Sequence, residues 1–217
     1  KDRIIGFFMG SPELVLARCA DNVHQYEKEL TRMLSQGLRL VGLAMGEFLA
    51  TKTEFSLQEA QNLSFLALIG MQDSIREDLQ KVIDQVKKSG FHLAMITGDH
   101  PQTAVYVAKE VGLYKPNDNL MTEADIYRTS KDDFLSLLDS TTVFARITPG
   151  TKMDIVSAYQ KRGNIVAMTG DGINDVPSIL AADIGIAMGQ MGTEVTKRAA
   201  DIVLLDDSLQ SIVDGIS

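Results

Sequence analysis

The chain has 217 residues, 45% of them hydrophobic, enough for one large domain or two small ones with an ample core. Its formal net charge of −8 argues against a nucleic-acid backbone as partner. The only cysteine, Cys19, excludes an intramolecular disulfide, and the longest apolar stretch, Leu63 to Met71, is about half of the roughly 20 residues a spanning helix needs.

In chain order, Ile4 to Met9 reads as a strand. Ser11-Pro12-Glu13 then starts a helix well, with Ser at the cap, Pro at the first position and an acid in the first turn. Val23 to Gln36 is helical and stops at Gly37. Leu38 to Met45 reads as a buried strand, and Thr51 to Asn62 as a short helix with loops. From Leu63 the texture becomes strand–helix alternation. Leu63 to Met71 is a strand, followed by a helix over Arg76 to Ser89. In it Leu79, Val82, Ile83 and Val86 share one face. Phe91 to Ile96, Thr142 to Ala145, Ile165 to Met168, Ile184 to Ala187 and Ile202 to Leu205 are predicted strands. Pro101 to Val111, Asp132 to Asp139, Lys152 to Lys161 and Asp175 to Ala181 are predicted helices, with another between the last two strands. Lys115 to Asn119 reads as a loop. Such alternation predicts a parallel sheet with helices on both faces.

The most informative stretch is Met168-Thr169-Gly170-Asp171-Gly172-Ile173-Asn174-Asp175-Val176-Pro177. Asp171 and Asp175 stand where a strand ends and a helix begins. Carboxylates there, with glycines that let a ligand approach the backbone, suit Mg²⁺ and a phosphate. A capping role for Asp175 is compatible with that. Thr97-Gly98-Asp99 also follows a strand and precedes a helix. It can hold phosphate oxygens, or it can be a turn whose Asp caps the helix. Lys152 stands at a predicted helix start, where the dipole disfavours a cation unless an anion lies nearby. His24, His92 and His100 are not at zinc spacing, and there is no Walker A loop.

Four segments together resemble the P-type ATPases, the cation pumps of the haloacid dehalogenase superfamily. They are Met95-Ile96-Thr97-Gly98-Asp99-His100-Pro101, Ala145-Arg146-Ile147-Thr148-Pro149-Gly150-Thr151-Lys152, the Met168–Pro177 block, and Ala182-Asp183-Ile184-Gly185-Ile186-Ala187-Met188-Gly189 with its continuation to Leu204. The resemblance is firmest from about Gly70 to Leu205, and its Thr-Gly-Asp-His-Pro sequence looks most like the branch handling Ca²⁺ and related light cations. It implies an α/β fold, a doubly wound parallel sheet of haloacid dehalogenase type, over residues 73–217. Residues 1–72 would be the C-terminal part of a mixed α+β nucleotide-binding domain with its return strand.

By the same resemblance, Asp171 and Asp175 would hold Mg²⁺. Lys152, Thr97 and Asp175 would be catalytic. Arg39, Thr97, Gly98, Asp99, Arg146, Lys152 and Asn174 would contact ATP or its phosphates. Met9 stands where the family has a Lys beside the adenine pocket, and Asp73-Ser74-Ile75-Arg76 resembles the family's hinge without its two prolines. The family's phosphoryl-accepting Asp lies in an Asp-Lys-Thr-Gly-Thr segment upstream, which these residues do not contain. The chain thus reads as a soluble piece from the cytoplasmic side of a membrane pump, with the transported cation bound elsewhere. A catalytically silent nucleotide- or partner-binding module of the same fold is the alternative. The absent strand would also leave two central strands without a neighbour, so an upstream segment, a collapse of the gap or an intermolecular strand is expected to fill it.

Overall fold

The computed structural model describes residues 3–20, 23–49, 59–76 and 78–216. Most of the helix predicted over Thr51 to Asn62 lies outside these residues. The chain divides into two compact units, 1–74 and 75–217.

The first unit is built on an antiparallel sheet of β1 (Arg3–Gly10), β2 (Arg39–Leu49) and β3 (Ser64–Met71), with β2 central. One face packs against the short helix α1 (Pro12–Leu16). There Val15, Ala44, Ala60 and Leu63 are buried with Phe8, Phe48 and Phe65 around them. Cys19 belongs to this packing and its thiol donates to the Val15 carbonyl at 3.2 Å. The predicted helix from Val23 begins as a 3-10 turn, Val23–Tyr26, before α2 (Glu27–Ser35). The strand expected to be buried over Leu38 to Met45 is longer and alternates, because one face of the sheet is exposed. Ile5, Phe7 and Met9 lie on that outer face.

The second unit has parallel strands with helices on both sides, as the alternation predicts. Its pairings form two three-stranded sheets. One has the order β4 (Met95–Ile96), β6 (Thr141–Ala145), β5 (Asn119–Thr122), and the other β7 (Ala167–Gly170), β8 (Ile184–Met188), β9 (Ile202–Leu204). Every residue of β6 is buried. Val143 and Ala145 face a cluster with Ile83 of α3 (Leu79–Lys88) and Ala104 and Ala108 of α4 (Pro101–Glu110). Phe144 points the other way, to Leu138 and to Ile155 and Tyr159 of α7 (Pro149–Lys161). A strand sandwiched in this way is the signature of a doubly wound layer.

Among the described residues, β4 and β5 bound the first of these sheets and β7 and β9 the second; of these, β4 and β7 contribute residues to one cleft. Only Met95 and Ile96 of the predicted strand Phe91 to Ile96 make ladder bonds, and those go to β6 alone. A cleft of about 300 Å³ is lined by Phe91, His92 and Ile96 from one side and by Val166 and Met168 from the other, with Tyr159 of α7 also contributing. Tyr159 donates its hydroxyl proton to the Leu138 carbonyl at 3.0 Å and stands 3.0 Å from His92 Nε2. Burial pushes its phenol well above the ordinary tyrosine range.

Three elements escape the sequence reading. They are β5, the capped helix α5 (Glu123–Arg128) after it, and the terminal helix α10 (Leu209–Ile216). The remaining helices are α6 (Lys131–Leu137), α8 (Val176–Ala181) and α9 (Glu194–Ala199).

Candidate active site at the strand ends

Parallel strands deliver their carboxyl ends to one edge of a sheet, and ligand-handling loops gather there. β7 ends at Gly170 and Asp171 follows, exposed. One 3-10 turn over Ile173–Asp175 leads into α8, whose start carries Pro177. The turn leaves Asn174 exposed and carries Asp175 inward, to 8% exposure. A Cβ on Gly170 would stand 2.5 Å from Asp175 Cβ, so a residue without a side chain is what admits Asp175 against the strand end.

Lys152 meets it from the first turn of α7. Its Nζ donates to Asp175 Oδ1 at 2.5 Å, and the two side chains are only 13% and 12% exposed. Asp175 Oδ2 accepts from the Gly172 amide at 3.3 Å. The unfavourable place of a cation at a helix start is thus offset by a carboxylate from within the chain, rather than by a phosphate alone. The helix also begins three residues before its predicted start, at Pro149.

The second loop follows β4. Thr97 Oγ1 donates to Asp99 Oδ2 and accepts from the Asp99 amide, both at 3.1 Å. The cap of α4 is His100, whose Nδ1 accepts from the Gln102 amide at 3.2 Å, so the capping role considered for Asp99 falls to its neighbour. The loop is stitched to the end of β6: Ile147 N donates to Thr97 O at 3.0 Å and Arg146 N to Asp99 O at 3.1 Å. Gly98 sits in this turn with only ordinary contacts around it. Arg146 adopts φ 58°, the left-handed region that a side chain enters at a cost of about 1–3 kcal/mol, and such strain clusters at working sites.

The structure therefore brings Lys152 and Asp175 into contact, with Asp171 and Asn174 beside them on the same loop. It brings Thr97, Asp99 and Arg146 together in a second group. The segment 146–152 links the two, running from the end of β6 into α7. Arg39 lies in the first unit, at the start of β2, on the same sheet face as Met9.

Glu123 is a site-supporting residue that the sequence reading lacks. Thr148 Oγ1 donates to its Oε1 at 2.6 Å, Thr151 Oγ1 donates to the same atom, and Tyr127 OH is 3.2 Å from Thr151 Oγ1. These bonds tie α5 to the turn that carries Lys152. The Thr148 and Thr151 hydroxyls hold the Glu123 carboxyl below its ordinary range. A depressed carboxyl contributes stability that is present above its unfolded pKa, about 4.3, and lost as pH falls through the folded value. Glu123→Gln is expected to flatten the acid side of the stability profile. Unfolding midpoints between about pH 3 and 6 check it, and identical slopes in both proteins refute it.

A family model described as a haloacid dehalogenase-like hydrolase matches residues 14–183. The chain belongs to that family of haloacid dehalogenase-like hydrolases. It is similar to calcium-transporting ATPase 1 of Saccharomyces cerevisiae, 40% identical over 85% of the chain and 20% of that protein. It is also similar to human calcium-transporting ATPase type 2C member 1, 39% identical over 88% of the chain and 20% of the relative. A calcium-transporting ATPase of Listeria monocytogenes is 36% identical over 95% of the chain and 25% of the relative. The chain spans about a fifth to a quarter of the length of these relatives. Among the described residues no helix is long and apolar enough to cross a membrane.

Proposed function

We propose that the chain is the catalytic portion of an ATP-driven cation pump, working at the cytoplasmic side of a membrane. Residues 73–217 would form most of its phosphorylation domain, and residues 1–72 the end of its nucleotide-binding domain. ATP donates its γ-phosphoryl group to an aspartate in an Asp-Lys-Thr-Gly-Thr segment upstream, and water then cleaves the aspartyl phosphate. The transported cation is bound elsewhere in the pump.

The observation that carries this reading is the Lys152–Asp175 pair beside exposed Asp171 at the end of an open sheet edge. An upstream strand lying between β4 and β7 would close both edges and bring its aspartate to the same end. The cleft between the two sheets supports that placement. Among the described residues no group of three or more His, Cys, Asp and Glu forms a closed metal cage. One or two carboxylates fit Mg²⁺, which keeps waters and phosphate oxygens in its shell. Asp171 would hold it, with Asp175 in support, and its charge would neutralise phosphate oxygens during transfer.

Lys152 supplies a fixed ammonium to the transferring phosphoryl, and Asp175 keeps that ammonium in place before substrate arrives. Thr97, Gly98 and Asn174 offer donors that orient its oxygens. Asp99 and Arg146 brace the loop and reach toward the nucleotide. Arg39, within the first unit, would be a nucleotide contact by the resemblance alone. Met9 packs against a ring without adding charge.

The test is transfer of label from γ-labelled Mg-ATP, on the chain alone and on the chain mixed with a segment containing Asp-Lys-Thr-Gly-Thr. Acid-stable label on the segment's aspartate, only in the mixture, is the expected result. Label on the chain alone would assign the nucleophile to these residues and overturn the reading. Tight assembly with no label, despite bound nucleotide, would favour the silent module.

A further inference from the structure

Asp207 follows β9 and lies 5% exposed, at φ 54°. Its Oδ1 accepts from the Gln190 amide at 3.0 Å and its Oδ2 from the Met191 amide at 2.9 Å. These backbone donors, the Gln190 amide foremost, hold its carboxyl below the ordinary aspartate range. The Asp207 carbonyl in turn accepts from Arg76 Nη1 at 2.6 Å. The Asp207 carboxylate thus grips two successive amides of the loop between β8 and α9, while the Asp207 backbone is held by an arginine near the start of the second unit.

The far end of that loop reaches the metal candidate. Thr193 N donates to the Asp171 carbonyl at 3.0 Å, and Thr196 Oγ1, from a fully buried residue, donates to the same oxygen at 3.3 Å. Thr193 and Thr196 hydroxyls are 2.7 Å apart, so the two donors are coupled. Between the two grips the loop packs against backbone: a Cβ on Gly192 would stand 2.0 Å from the Met188 carbonyl oxygen, and one on Gly189 would stand 2.6 Å from the Leu204 carbonyl oxygen. Side chains at these two positions would not fit the path the loop takes.

We infer that Asp207 is a positioning residue for Asp171. It sets the 189–193 loop, and the loop, through Thr193 and Thr196, fixes the backbone from which the Asp171 carboxylate projects. The inference rests on the proposed function only for the identity of the ligand at Asp171. The mechanical link from Asp207 to the Asp171 carbonyl stands on the hydrogen bonds alone. A role confined to holding α10 or β9 would leave Asp171 untouched.

The test uses the isotopically labelled chain, Asp207→Asn, and MgCl₂ alone as the probe. In the variant, exchange of the Thr193 amide is expected to accelerate about tenfold, the loss of roughly one hydrogen bond, while the amides of β6 keep their protection. The Asp171 carbonyl carbon shift should move with it, and Mg²⁺ affinity read at the Gly172 amide should weaken by about three- to tenfold. Thr196→Val should reproduce the effects at Asp171 while the Gln190 and Met191 amides stay protected. A folded Asp207→Asn with wild-type Thr193 exchange and Asp171 shift overturns the inference. Should that variant not fold, Arg76→Met decides: Thr193 exchange faster than wild type supports the link, and unchanged exchange refutes it. Absence of a saturable Mg²⁺ response in the wild-type chain would sink the metal reading, and the exchange measurements would still decide the positioning role.

Discussion

Replacing Lys152 by Met should cost the chain about 3–5 kcal/mol, because it strands the Asp175 carboxylate in a nearly water-free position. The pair is not by itself evidence of stability, since burying two charges offsets most of their attraction. The double variant Lys152→Met/Asp175→Asn should therefore lose much less than the sum of its parts, leaving a coupling of about 1–3 kcal/mol. Denaturant midpoints of the four proteins in that cycle measure it, and strictly additive losses would show that the two groups do not depend on each other. In the complemented phosphorylation assay, Lys152→Met should slow transfer by about 10²- to 10³-fold, the scale of losing one preorganised electrostatic contact. Measuring transfer where both wild type and Lys152→Met are fully folded separates the chemistry from the fold.

Gly192→Ala should destabilise by about 3 kcal/mol, toward the upper end for inserted atoms, because the new methyl meets a backbone oxygen at 2.0 Å and not a flexible side chain. The damage should be local at first. Amides of residues 189–193 should lose exchange protection while those of β6 keep theirs. Retained protection in the loop would mean that the Met188 carbonyl moves aside at little cost.

Much of the second unit can be read from pattern. Strand–helix alternation places β6, β8 and β9 within a residue or so, and the Gly-Asp punctuation marks both site loops. Other features depend on partners far along the chain. Lys152 and Asp175 are 23 residues apart, and only the crossover of α7 brings them together. Local sequence sees a misplaced cation where the fold has an ion pair. β4 makes ladder bonds only over Met95 and Ile96, and a pattern of apolar residues from Phe91 carries no information about how far a neighbour pairs with it. The Glu123 carboxylate looks like any acid in a first turn, yet its partners come from the start of α7. Some misses had a local sign. Thr122 and Asp125 form a capping box, a pattern three residues apart that marks the start of α5. Asp207 follows an apolar strand as Asp171 does, and that likeness is the signal that could have singled it out.

The edges at β4 and β7 also bear on how such a protein comes to be made and handled. Two rows of ladder groups facing one cleft are a template for any extended chain, including a second copy of this one. A strand inserted between them would join partners far apart in sequence, and contacts of that kind form late and slowly. Left unpaired, β4 and β7 would be adhesive, and a protein with such edges is prone to clumping at the concentrations used for purification. On the proposed function, supplying the upstream strand during expression, covalently or in trans, would be as much a matter of solubility as of catalysis.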